Sequence, residues 1–326
     1  MAEQQKNTLQ KIILAKPRGF CAGVDRAVRA VEECLRVFGA PVYVKHEIVH
    51  NKTVVAELAT QGAVTIEDIR EVPDGAVVVF SAHGSPPEHY RVAREKRCTM
   101  IDATCPFVTK VHLEMHRFLK AGYQVVYIGH KGHIEGVGVC REAAEYSVEI
   151  PVIENVHNID VLTFERDAKL AYLTQTTLSV EETKVLIEAL QKKYPNIVAP
   201  PSQDICCSTT NRQQAVQALA RQCGVVLVVG SKNSSNSNRL AEVARQTGAQ
   251  AYLIDGANEV LPEWLEGVVR VGVTAGASAP EHLVQELLLV LSQSGAIIEE
   301  LELVREDLHF AEPVELTKAK KERRME

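Results

Sequence analysis

At Cys21, Cys105 and Cys206 the sequence predicts that a short apolar strand ends and an amphipathic helix begins. The contexts are IILAKPRGFCAGVDRAVRAVEE, TMIDATCPFVTKVHLEMHRF and SQDICCSTTNRQQAVQALA. A strand-to-helix junction favours a thiolate, because unpaired backbone N–H groups at a helix N-terminus point at it. Soft thiolates select zinc, copper(I) or iron–sulfur clusters. Thiols at three equivalent junctions, 84 and 101 residues apart, point to one ligand shared by three similar lobes. Three thiolates leave a fourth position open, as a catalytic metal requires, whereas four-cysteine ligation suits electron transfer. Cys207 competes with Cys206, since adjacent cysteines do not easily both point inward. The match of DIC to DATC favours Cys206. Cys34, Cys98, Cys140 and Cys223 read as small buried hydrophobes.

Imidazoles form a second set. His50, His83 and His133 each occupy a turn after a candidate strand, in parts of the chain far from one another. Imidazole N–H groups and helix N-termini both suit phosphate oxygens. In GSKNSSNSN, residues 230–238, Ser234, Ser235 and Asn236 complete an anion cradle. Glu135, two residues beyond His133, reads either as a surface carboxylate or as a proton donor for chemistry that consumes protons. His112 and His116 have helical spacing, but HLEMH places its Glu wrongly for the HExxH zinc-protease pattern, so they read as solvated or partly packed. There is no GxxxxGK[ST] loop and no GxGxxG fingerprint, which argues against nucleotide binding.

The elements that must position these residues alternate along the chain. Short Val- and Ile-rich runs such as AVVVF, QVVYIG and GVVLVVG predict parallel strands buried on both faces. Amphipathic stretches such as AVRAVEECLRVF and NRQQAVQALARQ predict the intervening helices, and hence α/β lobes with parallel sheets. In such sheets ligands gather at the carboxyl ends of the strands, where the polar turns lie. Ser and Thr there are also ordinary N-caps, but several turns carry more polar groups than one cap requires. The expected organisation is a polar N-terminal tail over 1–10 and a lobe over 11–104 carrying Cys21. A lobe over 105–205 carries Cys105, and a third over 206–280 carries Cys206. A C-terminal helix and strand over 281–310 and a frayed polar tail over 311–326 complete it. The chain has 36 Lys and Arg against 42 Asp and Glu, a formal net charge of −6, which argues against nucleic-acid and anionic-membrane partners. No apolar run is long enough to span a bilayer, and MAEQQKNTLQ lacks a signal-peptide core. Eight cysteines in that setting read as reduced cytoplasmic thiols.

Over about residues 12–310 the chain resembles the 4-hydroxy-3-methylbut-2-enyl diphosphate reductase family of the non-mevalonate isoprenoid pathway. PRGFCAGVDRA, HEIVHN, FSAHG, DATCPFVTKVH, IGHKGH, TQTTLS, TTNRQ, VVGSKNSSNSNRL and VTAGASAP carry the resemblance, in order. It implies three α/β lobes in a pseudo-threefold arrangement around one 4Fe-4S cluster held by Cys21, Cys105 and Cys206. It further implies Glu135 as proton donor, Thr176 as the residue that positions the substrate hydroxyl, and His133 as a proton relay. His50, His83, His133, Ser234, Ser235, Asn236 and Ser278 would hold the diphosphate, and a ferredoxin or flavodoxin would deliver the electrons. Three departures stand out. The family usually has proline where this chain has Ile134, Val-Ser where it has Ser85-Pro86, and no cysteine at the position of Cys207. The rival readings are a cluster-dependent hydro-lyase and a non-enzymatic iron–sulfur redox sensor.

Overall fold

Runs of β-branched and aliphatic residues become strands sealed on both faces, and the helices between them carry the polar surface. In the computed structural model, which describes residues 9–323, every pairing between strands is parallel. All five residues of Val225–Val229 and of Leu170–Thr174 are buried, as expected for parallel sheets covered by helices.

The described residues divide into two compact units. One comprises 9–21, 50–54 and 207–308. Its five-stranded sheet runs Gln250–Ile254, Val225–Val229, Arg270–Ala275, Lys11–Lys16, Ile297–Glu302. One apolar cluster fills one side of it, with Ile12, Leu14, Leu227, Val273 and Leu287 among its members, and a second, with Ile13, Ala15, Val216 and Leu240, fills the other. Ile297–Glu302 is an exposed edge strand. Glu299 and Glu302 pair there with Lys11 and Lys16 of the neighbouring strand, at 2.6 and 3.4 Å, and such charges discourage further edge pairing.

The other unit comprises 22–49, 55–206 and 309–323. It holds a four-stranded sheet ordered Ala63–Ile66, Val42–Lys45, Val77–Phe80, Thr99–Asp102. A three-stranded sheet runs Val152–Ile153, Gln124–Ile128, Leu170–Thr174.

These units differ from the expected three lobes: 9–21 and 50–54 group with 207–308 and not with the rest of 11–104, and 281–308 joins 207–280 in one unit. Two segments also depart from what the sequence predicts. The first strand, Lys11–Lys16, pairs with Arg270–Ala275 and Ile297–Glu302 and not with the strands of 42–102. Its centre, IILA, is buried throughout, with an apolar cluster on either face, and the slot between two strands pairs both of its edges. The polar C-terminus, expected to fray, is helical over Val314–Arg323. Leu316 there is fully buried, and Lys320 bonds Glu33 and Glu312 at 2.6 Å each. These contacts, with the Arg323 guanidinium 4.8 Å over the Phe38 ring, dock a helix that composition alone marks as solvated. No helix among the described residues is long and apolar enough to cross a membrane.

Candidate functional site

Each of the three cysteines directly precedes a long helix, Ala22–Phe38, Pro106–Lys120 and Cys207–Ala220. Cys21 and Cys105 follow the strands Lys11–Lys16 and Thr99–Asp102, but the strand expected before Cys206 is absent: a polar turn rich in Pro and Ser joins Val180–Lys193 to the helix there. None of the eight cysteines is in a disulfide, and Cys21, Cys105 and Cys206 are all half-buried. The backbone N–H of Cys21 donates to Ala277 O at 3.2 Å. Gly19 sets up that turn with φ +64°, and a Cβ there would stand 3.2 Å from Ala279 O. Cys105 is the N-cap of its helix, with Pro106 in the first position, where proline is favoured. Its N–H donates to Ala82 O at 2.9 Å. The Cys206 N–H donates to Thr176 O at 3.1 Å, whereas Cys207 is exposed.

The remaining thiols differ. Burial pushes Cys34 up to about 12 and Cys223 to about 11, and raises Cys98 and Cys140. These four are packing residues, held as thiols. Among the described residues no three His, Cys, Asp or Glu side chains close on a single metal ion. The fit of the junction cysteines to an iron–sulfur group therefore stands on their donor chemistry: soft, half-buried sulfurs at helix N-termini.

Glu135 is buried, 5% exposed, in the first turn of the helix Ile134–Ala144. Its carboxylate accepts from the Thr176 N–H at 3.0 Å and from Thr176 Oγ1 at 2.9 and 3.0 Å. The surface reading of Glu135 is thereby excluded. Because Thr176 O also receives the Cys206 N–H, the structure brings Glu135, Thr176 and the Cys206 backbone together. His133 is the N-cap of the same helix, its Nδ1 accepting from Glu135 N at 3.3 Å. Ile134 takes the first helical position without displacing Glu135, so the missing proline is replaced by the cap and by Thr176.

Burial, reinforced by the nearby His130 and His46, holds His133 down at about 4, so its imidazole is neutral at physiological pH. His83 Nδ1 stands 3.3 Å from Ser81 Oγ, and its ring meets that of His46 edge-on at 6.1 Å. Pro86 occupies the N-cap position of Pro87–Glu95, so the departure at Ser85-Pro86 starts a helix. His112 and His116 converge on Glu142, and His116 also bonds Tyr146 at 2.8 Å. They join two helices and lie outside the candidate site.

The third group lies in the unit that holds the five-stranded sheet. Ser234 caps Ser235–Gln246, its Oγ accepting from Ser237 N at 3.3 Å. Ser278 Oγ donates to His50 O at 2.9 Å and lies 3.4 Å from Ser234 Oγ. Asn236 is 4% exposed. Its Oδ1 accepts from Ala277 N at 2.9 Å, which fixes the amide orientation and leaves a buried Nδ2 with no partner. A helix N-terminus, two hydroxyls and an unpaired amide donor form an anion-binding arrangement. Ser234, Asn236, Ser278 and the His50 backbone are thus gathered in one place.

Sequence reasoning missed the supporting residues. Gln175 is fully buried, its Oε1 accepting from His130 N at 3.0 Å and its Nε2 donating to Thr177 Oγ1 at 2.9 Å. Asp204 Oδ2 accepts from Thr174 N at 2.9 Å, and Arg212 is 1% exposed. Their signal was their place inside TQTTLS, QDIC and TTNRQ.

Residues 12–292 match the LytB protein family. The chain belongs to the LytB family. Among curated LytB relatives, the 4-hydroxy-3-methylbut-2-enyl diphosphate reductase of Tolumonas auensis is 52% identical over 307 residues, covering 94% of this chain and 99% of the relative. The enzyme of the same name from Psychrobacter sp. is 52% identical over 308 residues, covering 94% and 97%. The solved structure of the E-1-hydroxy-2-methyl-but-2-enyl-4-diphosphate reductase from Plasmodium falciparum matches with a TM-score of 0.94 and 37% identity, over 97% of this chain and 99% of that one. A second solved structure, of (E)-4-hydroxy-3-methyl-but-2-enyl diphosphate reductase, matches with a TM-score of 0.64 and 32% identity over 87% and 100%. All nine motifs that suggested the resemblance begin inside the LytB match.

Proposed function

We infer that this LytB chain reduces (E)-4-hydroxy-3-methylbut-2-enyl diphosphate to isopentenyl and dimethylallyl diphosphate. The carbon–oxygen bond of the allylic alcohol breaks, two electrons and two protons enter, and the oxygen leaves as water. The observation that carries this reading is the buried Glu135–Thr176 pair beside the Cys206 turn. It offers an acid and a hydroxyl where an alcohol would have to lose its oxygen.

Cys21, Cys105 and Cys206 would hold a 4Fe-4S cluster; the exposure of Cys207 supports Cys206 as the third ligand. When bound, such a cluster would supply an open coordination position and a store for electrons that arrive singly. Thr176 Oγ1 orients the hydroxyl, and Glu135 gives up the proton. Two hydrogen bonds from Thr176 then stabilise the carboxylate left behind. His133, neutral at its ring, can pass a proton on from one nitrogen while its other nitrogen holds the cap. His50, His83, His133, Ser234, Ser235, Asn236 and Ser278 would bind the diphosphate. The unpaired Nδ2 of Asn236 gains the acceptor it lacks. A ferredoxin or flavodoxin serves as electron donor, and the setting is cytoplasmic.

The test is turnover by anaerobically purified protein with substrate and a reduced one-electron dye. Formation of both diphosphate products that depends strictly on the reductant is expected. Water loss without reductant, or stoichiometric zinc in place of iron and sulfide, would overturn the assignment.

A further inference from the structure

Three cations approach the three cysteine turns in a common way. On the helix that follows Cys21, Arg26 donates from Nη1 to Thr104 O at 3.0 Å and from Nη2 to Asp102 O at 3.4 Å. Those carbonyls lie just before Cys105. On the helix that follows Cys105, Lys110 Nζ donates to Ser202 O and Gln203 O, each at 2.9 Å, and to Asp204 Oδ1 at 3.0 Å. That segment lies just before Cys206. On the helix that follows Cys206, Arg212 donates from Nε and Nη2 to Gly19 O at 3.2 and 2.8 Å, and from Nη2 to Phe20 O at 3.4 Å. Those carbonyls lie just before Cys21.

Arg26 and Lys110 each stand five residues beyond their cysteine, and Arg212 stands six beyond Cys206. In every case the cation sits in the second turn of its helix and reaches the turn of a different cysteine. The order closes on itself: the Cys21 helix reaches Cys105, the Cys105 helix reaches Cys206, and the Cys206 helix reaches Cys21. Carbonyls in the turn before a helix have neither a ladder nor a helical partner and need a donor. A guanidinium or ammonium supplies several at once. The buried charge of Arg212 is met by Glu306 at 3.0 Å, and Asn211 Nδ2 also donates to that carboxylate.

We propose that Arg26, Lys110 and Arg212 are positioning residues, each holding the turn of the next cysteine in this cycle and not the cysteine that starts its own helix. The inference rests on Cys21, Cys105 and Cys206 being the cluster ligands. A loosened clamp therefore frees one particular thiolate, displaced by one step around the cycle from the substituted helix.

The test is alkylation by iodoacetamide of anaerobically purified holoprotein, with the labelled cysteine mapped by peptide mass. Arg26→Met should raise the labelling rate at Cys105, Lys110→Met at Cys206, and Arg212→Lys, which keeps the buried charge but loses the fork, at Cys21. The rise expected is roughly tenfold, as loss of one charge-assisted hydrogen bond to a buried carbonyl implies. Arg26→Lys should restore part of the protection. Faster labelling at the cysteine that begins the substituted helix, or equal labelling at all three in variants with wild-type urea midpoints, overturns the proposal. A wild-type protein without iron and sulfide instead overturns the ligand assignment, and the labelling order in that protein still decides whether the three turns are held in this cycle.

Discussion

At the scale of single residues, the strongest chemical statement concerns Glu135. A carboxyl group that is 5% exposed and receives three contacts from one threonine is held for a purpose, since burying an acid is costly unless it is well bonded. Glu135→Gln keeps the size and loses the proton. Turnover should fall by about 10²–10⁴-fold, the usual contribution of a general acid, while substrate affinity and the urea midpoint stay close to wild type. Single-turnover kinetics with pre-reduced protein reads the chemical step directly, and a rate within a few-fold of wild type would remove Glu135 from that role. The sequence left Glu135 undecided between surface and site. Its partner Thr176 lies 41 residues away, and nothing local marks a carboxylate as buried. Arg212 lies inside TTNRQ, but its burial was hidden in the same way: a cation in an amphipathic helix reads as part of the wet face.

At the scale of elements, the proposed site residues are concentrated at helix N-termini. Ser235–Gln246 begins at the anion cradle, and close packing holds that start in place. A Cβ on Gly276 would fall 2.0 Å from Ser237 Oγ, and one on Gly230 would fall 2.3 Å from it. Gly276→Ala must therefore push the first turn of the helix away from the Ala275–Ser278 turn. Overpacking of this kind costs about 1–3 kcal/mol, readable as a lower urea midpoint. The shift should also weaken binding of inorganic pyrophosphate, measured by calorimetry, because Ser234 and Asn236 move with Ser237. An unchanged midpoint together with unchanged pyrophosphate binding would show that the cradle does not depend on this contact. The proposed cradle in GSKNSSNSN rests on residue types that are readable from the sequence alone. The requirement for glycine at 230 and 276 is not, since it arises where two separate turns meet.

At the scale of the molecule, His133 links folding to pH. Burial holds it at about 4 against an ordinary 6.5. Between those values the unfolded chain binds the proton and the folded chain does not, so stability is fully present above about 6.5 and is lost as pH falls toward 4. Protonation also competes with the cap that His133 Nδ1 provides to Glu135 N. His133→Asn, which retains a capping side chain, should flatten the decline of the urea midpoint between pH 6.5 and 4. An identical slope in wild type and variant would assign the acid sensitivity elsewhere.

What this sequence determined by itself was its local content. It marked the alternation of buried strands and amphipathic helices, the thiols that precede three helices and the polar turns that follow strands. Each follows from short-range periodicity and residue chemistry. Tertiary structure alone decided which strands share a sheet, and it placed Lys11–Lys16 between strands some 260–290 residues away. It alone buried Glu135 against Thr176, docked the polar C-terminal helix through Leu316 and Lys320, and aimed Arg26, Lys110 and Arg212 at one another's cysteine turns. The physical reason is common to all of these. A parallel strand buried on both faces, a buried acid and a turn carbonyl each need a partner, and the partner is chosen by three-dimensional proximity that no local window of residues contains.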